Sequence, residues 1–384
     1  MTNVATGVPL DRADVEAALA PIERARMLPA AAYTDPVVLE WEREHVFDAG
    51  WIAACHVSAL AEPGAQIATS LGRGSALIVR DGDGDGDGDG DGDGVRAFAN
   101  VCRHRGHELL DVGEHACRAS VVCPYHAWTY DLDGRLRHAT GGATFDPDEH
   151  ALAPLRVAQH LGWVFVNAGG DAPPVDESFA GLDGVLGRYD AASLVSVARR
   201  DYEVEANWKV IHENYQECLH CPRIHPELCR VSPPDSGDNL APGPAWVGGW
   251  MDLADDAATM SMDGTAAGPP LPGLDEHTRR RVAYVALLPG LLVSAHPDYL
   301  LTHRLEPIWA GRTRVSCEWL APEGAVLDEA VALWDVTNRQ DWAACESVQR
   351  GLGSGRAVPG PLVPREDAVH GVVQWFARQY LRDP

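Results

Sequence analysis

Two cysteines and two histidines in the segment NVCRHRGHELLDVGEHACRASVVCPYHAWTYDLDG stand at spacings that can build a metal centre. Cys102 and His104 form a C-x-H pair, Cys123 and His126 a C-x-x-H pair, and eighteen residues separate the two. Each pair falls at a chain reversal, where two side chains can converge on one ion. Zinc also takes two cysteines and two histidines. Zinc fingers, however, pair Cys with Cys and His with His, whereas each loop here carries one of each. That mixture suits a two-iron cluster with both thiolates on one iron and both imidazoles on the other. Imidazole ligation would raise its potential toward about −150 mV or higher. His107, His115 and Cys117 lie close by and are not assigned as ligands.

A second set lies in EANWKVIHENYQECLHCPRIHPEL. Read as a helix over Asn207–Cys221, this segment places Asn207, Val210, Asn214, Glu217 and Cys221 on one face, with His220 three residues beyond Glu217. His225 would fall on the wrong side of an unbroken helix, but Pro222 and Pro226 can end it and fold His225 back toward His220. Two histidines and one carboxylate leave open positions for oxygen chemistry at a non-heme iron. The helical stretch Leu327–Leu352 supplies the acid. Asp341 lies on a stripe with Leu327, Val331, Trp334, Asn338, Cys345, Val348 and Leu352, so it faces the core, where an unpaired carboxylate is costly and a cation compensates it. Asp335 and Glu346 point elsewhere and are expected to be solvated. Alone, H-x₄-H is a weak signal.

Together the two sets resemble the α-subunits of Rieske non-heme iron oxygenases over nearly the whole chain. The C-x-H and C-x-x-H pairs are flanked by RHRGH and PYHAW-Y-DG, as in that family, with a spacer lengthened by one or two residues in GEHACR. In that family the segment N-W-K, E-N, an acid, C/Y-H-C and a final His carries the iron histidines, which here correspond to His220 and His225. The resemblance implies a [2Fe–2S] Rieske cluster on Cys102, His104, Cys123 and His126, and mononuclear Fe(II) on His220, His225 and Asp341 of NRQDWAACESVQRGL. It places Asn207 and Glu217 in the catalytic set, Glu217 being the acid that links cluster and iron across a subunit boundary. Asp is frequent at that point; Glu occurs in the choline- and carnitine-oxidising branch. It also implies a homotrimer, O₂ as co-substrate, and electrons from NAD(P)H through a separate flavin/iron–sulfur reductase, with or without a ferredoxin. The chain itself has no GxGxxG turn after a strand and no spare set of four cysteines.

GGWMDLADDAATMSMDG and SAHPDYLLTHRLEP are similar to the glycine-betaine demethylase branch of quaternary-ammonium monooxygenases. Hydroxylation or N-demethylation of a small quaternary ammonium compound is therefore expected. Hydroxylation, dihydroxylation or O-demethylation of an aromatic acid or another small molecule is the alternative. A Rieske electron carrier without oxygenase activity would not need His220, His225 and Asp341. Trp246 and Trp250 are candidates for cation recognition, and equally for core.

The elements that must position these residues point to an α+β protein. Residues 11–28 read as an opening helix. From Trp51, WIAACHV, IATSLG, SALIVR, VRAFANVC and ASVVCPY read as the strands of a small β-domain. Strands and helices then follow without βαβ alternation, which argues an antiparallel sheet. With the resemblance, this gives a Rieske β-domain (residues 41–160) inserted between an N-terminal helical segment (1–40) and a helix-grip, START-like catalytic domain (161–384). Residues 231–275, rich in Pro, Gly, Asp and Ser, read as a mobile lid or a plain surface excursion. Seven Asp-Gly repeats from Asp81 to Gly94 read as a solvated hairpin extension. With 384 residues and a formal charge of −25, the chain repels polyphosphate and anionic membrane surfaces, so neither nucleic acid nor membrane is an expected partner. The N-terminal residues show no apolar signal core, and nine cysteines beside histidines suggest reduced thiols and metal ligands rather than a disulfide framework. A cytoplasmic enzyme is expected.

Overall fold

The computed structural model describes residues 7–82, 94–142 and 144–382. They form two compact units, Val46–Asp176 and the pair of segments Met1–His45 and Glu177–Pro384.

The contiguous unit is all β. Strands β1 (Ile52–His56), β2 (Ala65–Ser70), β3 (Ser75–Arg80), β4 (Val95–Ala99), β5 (His115–Cys117), β6 (Val121–Val122), β7 (Thr129–Tyr130), β8 (Leu136–His138), β9 (Pro154–His160) and β10 (Trp163–Asn167) make a seven-stranded sheet, β1-β10-β9-β4-β3-β2-β5, and a three-stranded one, β6-β7-β8. The unit ends later than residue 160. The run WVFVN, which alone could begin the next domain, pairs as β10 with both β1 and β9 and is buried throughout. Most of the Asp-Gly run, and with it the reading of that run as a solvated extension, lies outside the described residues. Its ends do not: Arg80 pairs with Val95, and the Asp81 N–H donates to the Gly94 carbonyl at 2.6 Å, closing the β3–β4 hairpin.

The second unit carries β11 (Val195–Val204), β12 (Asp238–Asn239), β13 (Trp246–Asp252), β14 (Arg281–Leu287), β15 (Leu291–Ala295), β16 (Leu300–Trp309) and β17 (Arg312–Ala321) in one antiparallel sheet, β11-β17-β16-β15-β14-β13-β12. Val, Leu and Ala dominate the central strands β14 and β15, whereas the edge strand β11 exposes Arg199, Arg200, Asp201 and Glu203, charges that discourage strand addition. The 25-residue helix Asp328–Leu352 lies against this sheet. Its Trp334 indole donates to the Tyr299 hydroxyl at 2.8 Å, and Asn338 meets His303 of β16 at 3.0 Å. The expected stripe holds in its middle but not at its end, where Val348 is exposed. Asp335 is not simply solvated, since it accepts from the Tyr202 hydroxyl at 2.6 Å.

Three expectations need correction. The opening helix is only Arg12–Ala17, capped by Asp11; Pro21 prevents its continuation. Residues 231–275 are no lid: they include β12 and all of β13, Met260 is fully buried, and the Arg280 guanidinium donates to the carbonyls of Leu253, Ala254 and Ala257. The helix at Asn207 runs only from Trp208 to Tyr215.

Where the N-terminal segment meets the rest of this unit, Glu42 is fully buried. Lys209 Nζ lies 2.5 Å from its Oε1, the Trp208 indole donates to Oε2 at 2.9 Å, and the Tyr380 hydroxyl of the helix Asp367–Leu381 donates to Oε1. No helix among the described residues is long and apolar enough to cross a membrane.

Candidate iron centres

The first centre is built by two loops of like design. The Cys102 N–H donates to the His107 carbonyl at 2.8 Å, and the Gly106 N–H donates back to Cys102 at 3.0 Å. In the other loop the Cys123 N–H donates to Trp128 at 2.8 Å, and the Ala127 N–H donates to Cys123 at 3.0 Å. Gly106 and Ala127 occupy the same turn position and both have positive φ, 72° and 55°. Ala127 adopts it against the usual side-chain penalty. Cys102 and Cys123 are each 2% exposed, in a core with Trp128 and Tyr130, while the imidazoles of His104 and His126 stand outward with ring centroids 4.7 Å apart. Thiols within and imidazoles without is the segregation a two-iron cluster needs, and one tetrahedral ion does not. Burial pushes the Cys123 thiol up, with neighbouring Cys102 adding to it, so two thiolates here require a compensating cation. The Tyr130 hydroxyl accepts from the Arg103 N–H at 3.0 Å and lies 3.2 Å from Cys102 Sγ, and the Trp128 ring stacks on His104 at 4.8 Å. His107 turns to the Glu108 carbonyl, and neither His115 nor Cys117 lies in these loops.

The second centre lies where the helix Trp208–Tyr215 gives way to a turn and two short helices, Cys221–Ile224 and Pro226–Val231. His225 is the hinge between those two helices, and Pro222 and Pro226 each begin one, so the two prolines turn His225 back as the sequence suggested. His225 Nε2 lies 2.8 Å from Asp341 Oδ1 and His220 Nε2 3.4 Å from the same oxygen. Their other nitrogens are also engaged: His220 Nδ1 by Glu217 Oε1 at 2.5 Å, His225 Nδ1 by Gln340 Oε1 at 2.7 Å. Burial alone would depress the His220 imidazole, but its hydrogen bonds to Asp341 and Glu217 outweigh that and raise it to about 9. The same two histidines hold Asp341 below its usual range against the effect of burial. Two imidazoles sharing one half-buried carboxylate oxygen is a donor set a divalent cation fits, because the cation supplies the positive charge that the protons otherwise provide. Cys221 also lies within 4.8 Å of His220 and His225, but it is bonded to Cys218 and offers no thiolate. That single disulfide makes no framework, and the other seven cysteines are unbridged.

Glu217 and His220 therefore meet in a turn, not on a helix face. Asn207 is not in the site. Its side chain caps the helix by accepting from the Lys209 N–H at 3.0 Å and donates to the carbonyls of Tyr33 and Ala310, and it is 1% exposed. Its role is to fix the start of the segment that leads to His220. Gln340 was not anticipated; its position beside Asp341 was the available signal.

A cavity of about 300 Å³ opens from His220, His225 and Asp341 and is walled by Tyr215, Trp250, Tyr284 and Trp334. The Tyr284 hydroxyl is buried and has no hydrogen-bond partner among the described residues. Trp246 is core, its indole donating to the Ala180 carbonyl at 2.9 Å. Trp250 lines the cavity, with the Arg281 guanidinium 4.7 Å from its ring centre.

One unit suited to a one-electron iron–sulfur store, and another with an open two-histidine, one-carboxylate site beside a cavity, define an iron-dependent oxygenase. Residues 50–146 match the Rieske [2Fe–2S] domain, and residues 191–382 match the ring hydroxylating alpha subunit (catalytic domain). The chain belongs to the family of Rieske-type ring-hydroxylating oxygenase alpha subunits. It is 30% identical to the glycine betaine monooxygenase oxygenase subunit of Pseudomonas aeruginosa, over 93% of this chain and 89% of that one. To the carnitine monooxygenase oxygenase subunit of Escherichia coli it is 37% identical over 53% of each. The solved quaternary ammonium Rieske monooxygenase CntA in complex with L-carnitine superposes with a TM-score of 0.78 at 26% identity, covering 97% of this chain and 99% of that one. The chain is thus the terminal oxygenase component of a Rieske system, with a [2Fe–2S] cluster and mononuclear iron as its cofactors. Members of this family draw electrons from a separate reductase and oligomerise.

Proposed function

We propose that this oxygenase hydroxylates an N-methyl group, or the carbon beside the nitrogen, of a small quaternary ammonium compound, and that hydroxylation of the methyl group leads to N-demethylation. The observation that carries this reading is the wall of the cavity. Tyr215, Trp250, Tyr284 and Trp334 present aromatic rings, and Glu217, Asp238 and Asp367 add carboxylates, which together favour a cation lacking hydrogen-bond donors. Arg365 also lines the cavity and can meet a carboxylate elsewhere on such a substrate, whereas an aromatic acid offers no cation to the rings. The relatives named for glycine betaine and carnitine support the same reading.

Cys102, His104, Cys123 and His126 would hold the cluster, and His220, His225 and Asp341 the iron. When bound, the two centres supply stored electrons and an oxygen-activating metal. The chain's residues do the rest. The aromatic wall orients the ammonium group and displaces water from it, Glu217 and Gln340 fix the two imidazoles, and Asn207 anchors the helix that precedes them. We place Glu217 at the boundary of a homotrimer, where its carboxylate joins His220 to the neighbouring subunit's cluster. NAD(P)H-derived electrons enter through a flavin/iron–sulfur reductase, with or without a ferredoxin.

The test is oxygen and NADH consumption with a surrogate reductase, run against N-methylated cations and against aromatic acids, with formaldehyde and hydroxylated product assayed. Coupled turnover of a quaternary ammonium compound and none of the acids is expected. Turnover of an aromatic acid alone overturns the proposal.

A further inference from the structure

We propose that Gln340 is a positioning residue for the mononuclear site, and that Glu227 sets which end of its amide does the work. The inference rests on the reading of His220, His225 and Asp341 as the iron ligands.

Gln340 precedes Asp341 on the helix Asp328–Leu352 and reaches the opposite side of His225 from it. Its Oε1 lies 2.7 Å from His225 Nδ1, and its Nε2 lies 3.4 Å from Glu227 Oε2 on the helix Pro226–Val231. An ionised carboxylate only accepts, so Glu227 takes the NH₂ end of the amide and leaves the oxygen facing the ring. That oxygen in turn accepts from Nδ1–H. The proton is thereby kept on Nδ1, and Nε2, 2.8 Å from Asp341 Oδ1, is the nitrogen free to offer a lone pair to a metal. His220 is oriented in the same sense by a different group, Glu217 on its Nδ1. The two imidazoles thus have unlike supports, one a carboxylate and one a neutral amide. A second carboxylate at His225 would add negative charge beside Asp341 and Glu227, and the amide fixes the ring without it.

The experiment is calorimetric titration of Co(II) into protein whose mononuclear site has been emptied with a chelator and whose cluster absorption is intact. Gln340→Met matches the side chain in length but accepts no hydrogen bond from Nδ1. It is expected to weaken Co(II) binding by about 10- to 100-fold with unchanged cluster absorption and melting temperature. The exchange variant Gln340→Glu/Glu227→Gln returns an acceptor to Nδ1 at unchanged net charge and is expected to bind within about threefold of the parent. Glu227→Leu frees the amide to turn and should weaken binding severalfold; it carries the test if Gln340→Met does not fold. Parental affinity in Gln340→Met, or in Glu227→Leu where that variant stands in, overturns the proposal, as does an exchange variant as weak as Gln340→Met. His225→Ala separates the two levels. If it abolishes binding while Gln340→Met does not, only the positioning role falls; if it binds as the parent does, the ligand assignment falls as well.

Discussion

Glu217 grips the turn that presents His220. Its Oε1 takes the ring through Nδ1 at 2.5 Å, while Oε2 accepts the backbone N–H groups of Leu219 and His220, the latter at 3.3 Å. One carboxylate thus fixes both where the ring is and which nitrogen faces Asp341. The side chain is still 16% exposed, and a carboxylate offers about four acceptor positions, so one remains for a donor from outside the chain.

In the proposed trimer that donor is the neighbouring cluster histidine. Glu217→Gln keeps the length and one acceptor, but replaces an acceptor oxygen with an NH₂ group and removes the charge. Both metals and the trimer should persist, while reoxidation of the chemically reduced cluster by oxygen and substrate slows by orders of magnitude. Stopped-flow absorption beside product quantification reads this directly. Equal rates in parent and variant would place the electron path elsewhere.

The two centres should be separable by mutation, because their residues belong to units with separate cores. Cys102→Ser or His126→Ala is expected to abolish the visible cluster spectrum and acid-labile sulfide while the mononuclear site still takes up metal. His225→Ala and Asp341→Ala should do the reverse, keeping cluster colour and losing mononuclear iron and turnover. Iron and sulfide analysis of each purified variant checks the assignments one by one.

Acid should destabilise the second unit through buried histidines. His212 is fully buried, its Nε2–H donates to the Pro289 carbonyl at 2.7 Å, and burial depresses it from 6.5 to about 4. His296, also fully buried, is likewise held well below 6.5 by burial. Both rings are neutral in the folded protein, whereas the unfolded chain protonates them near pH 6.5. Their contribution is complete above that pH and is lost as pH falls toward 4, by about 3 kcal/mol for His212 alone. Urea unfolding between pH 7.5 and 4.5 should show the decline. His212→Gln, which keeps a donor for Pro289, should flatten it.

Lys209→Met should cost about 3–5 kcal/mol, since it strands the Glu42 charge in the interior. Replacing both partners with apolar residues should cost less than the single change, because no uncompensated charge remains. Chemical denaturation of the two single variants and the double variant closes the cycle.

The cluster loops were legible because they are local: four ligand types at fixed spacing declare the chemistry before any fold is known. Asp341 was legible because a carboxylate on an apolar helical stripe requires a partner. Glu217 was singled out for a geometric reason that does not hold. Helical periodicity places it beside His220, yet the helix stops at Tyr215, and the contact comes from the carboxylate wrapping its own turn. Asn207, which the resemblance placed in the catalytic set, caps the helix instead, and its capping preference was the stronger sequence signal. Gln340 and the aromatic wall were illegible in detail, because they depend on which strand and helix residues face one cavity. Trp246 and Trp250 are four apart on β13, and only the structure separates the core residue from the wall residue.

The second unit is discontinuous, with Glu42 in its first segment and Lys209 and Tyr380 in its second. On the ribosome this imposes an order. The inserted β unit is contiguous and can fold once Asp176 has emerged, whereas Glu42 waits for the last helix, through Leu381, before its final partner exists. The emerging chain can therefore carry a folded β unit while its oxygen-handling half is still open, and conditions that delay the final helix should leave that half, rather than the β unit, exposed to proteolysis.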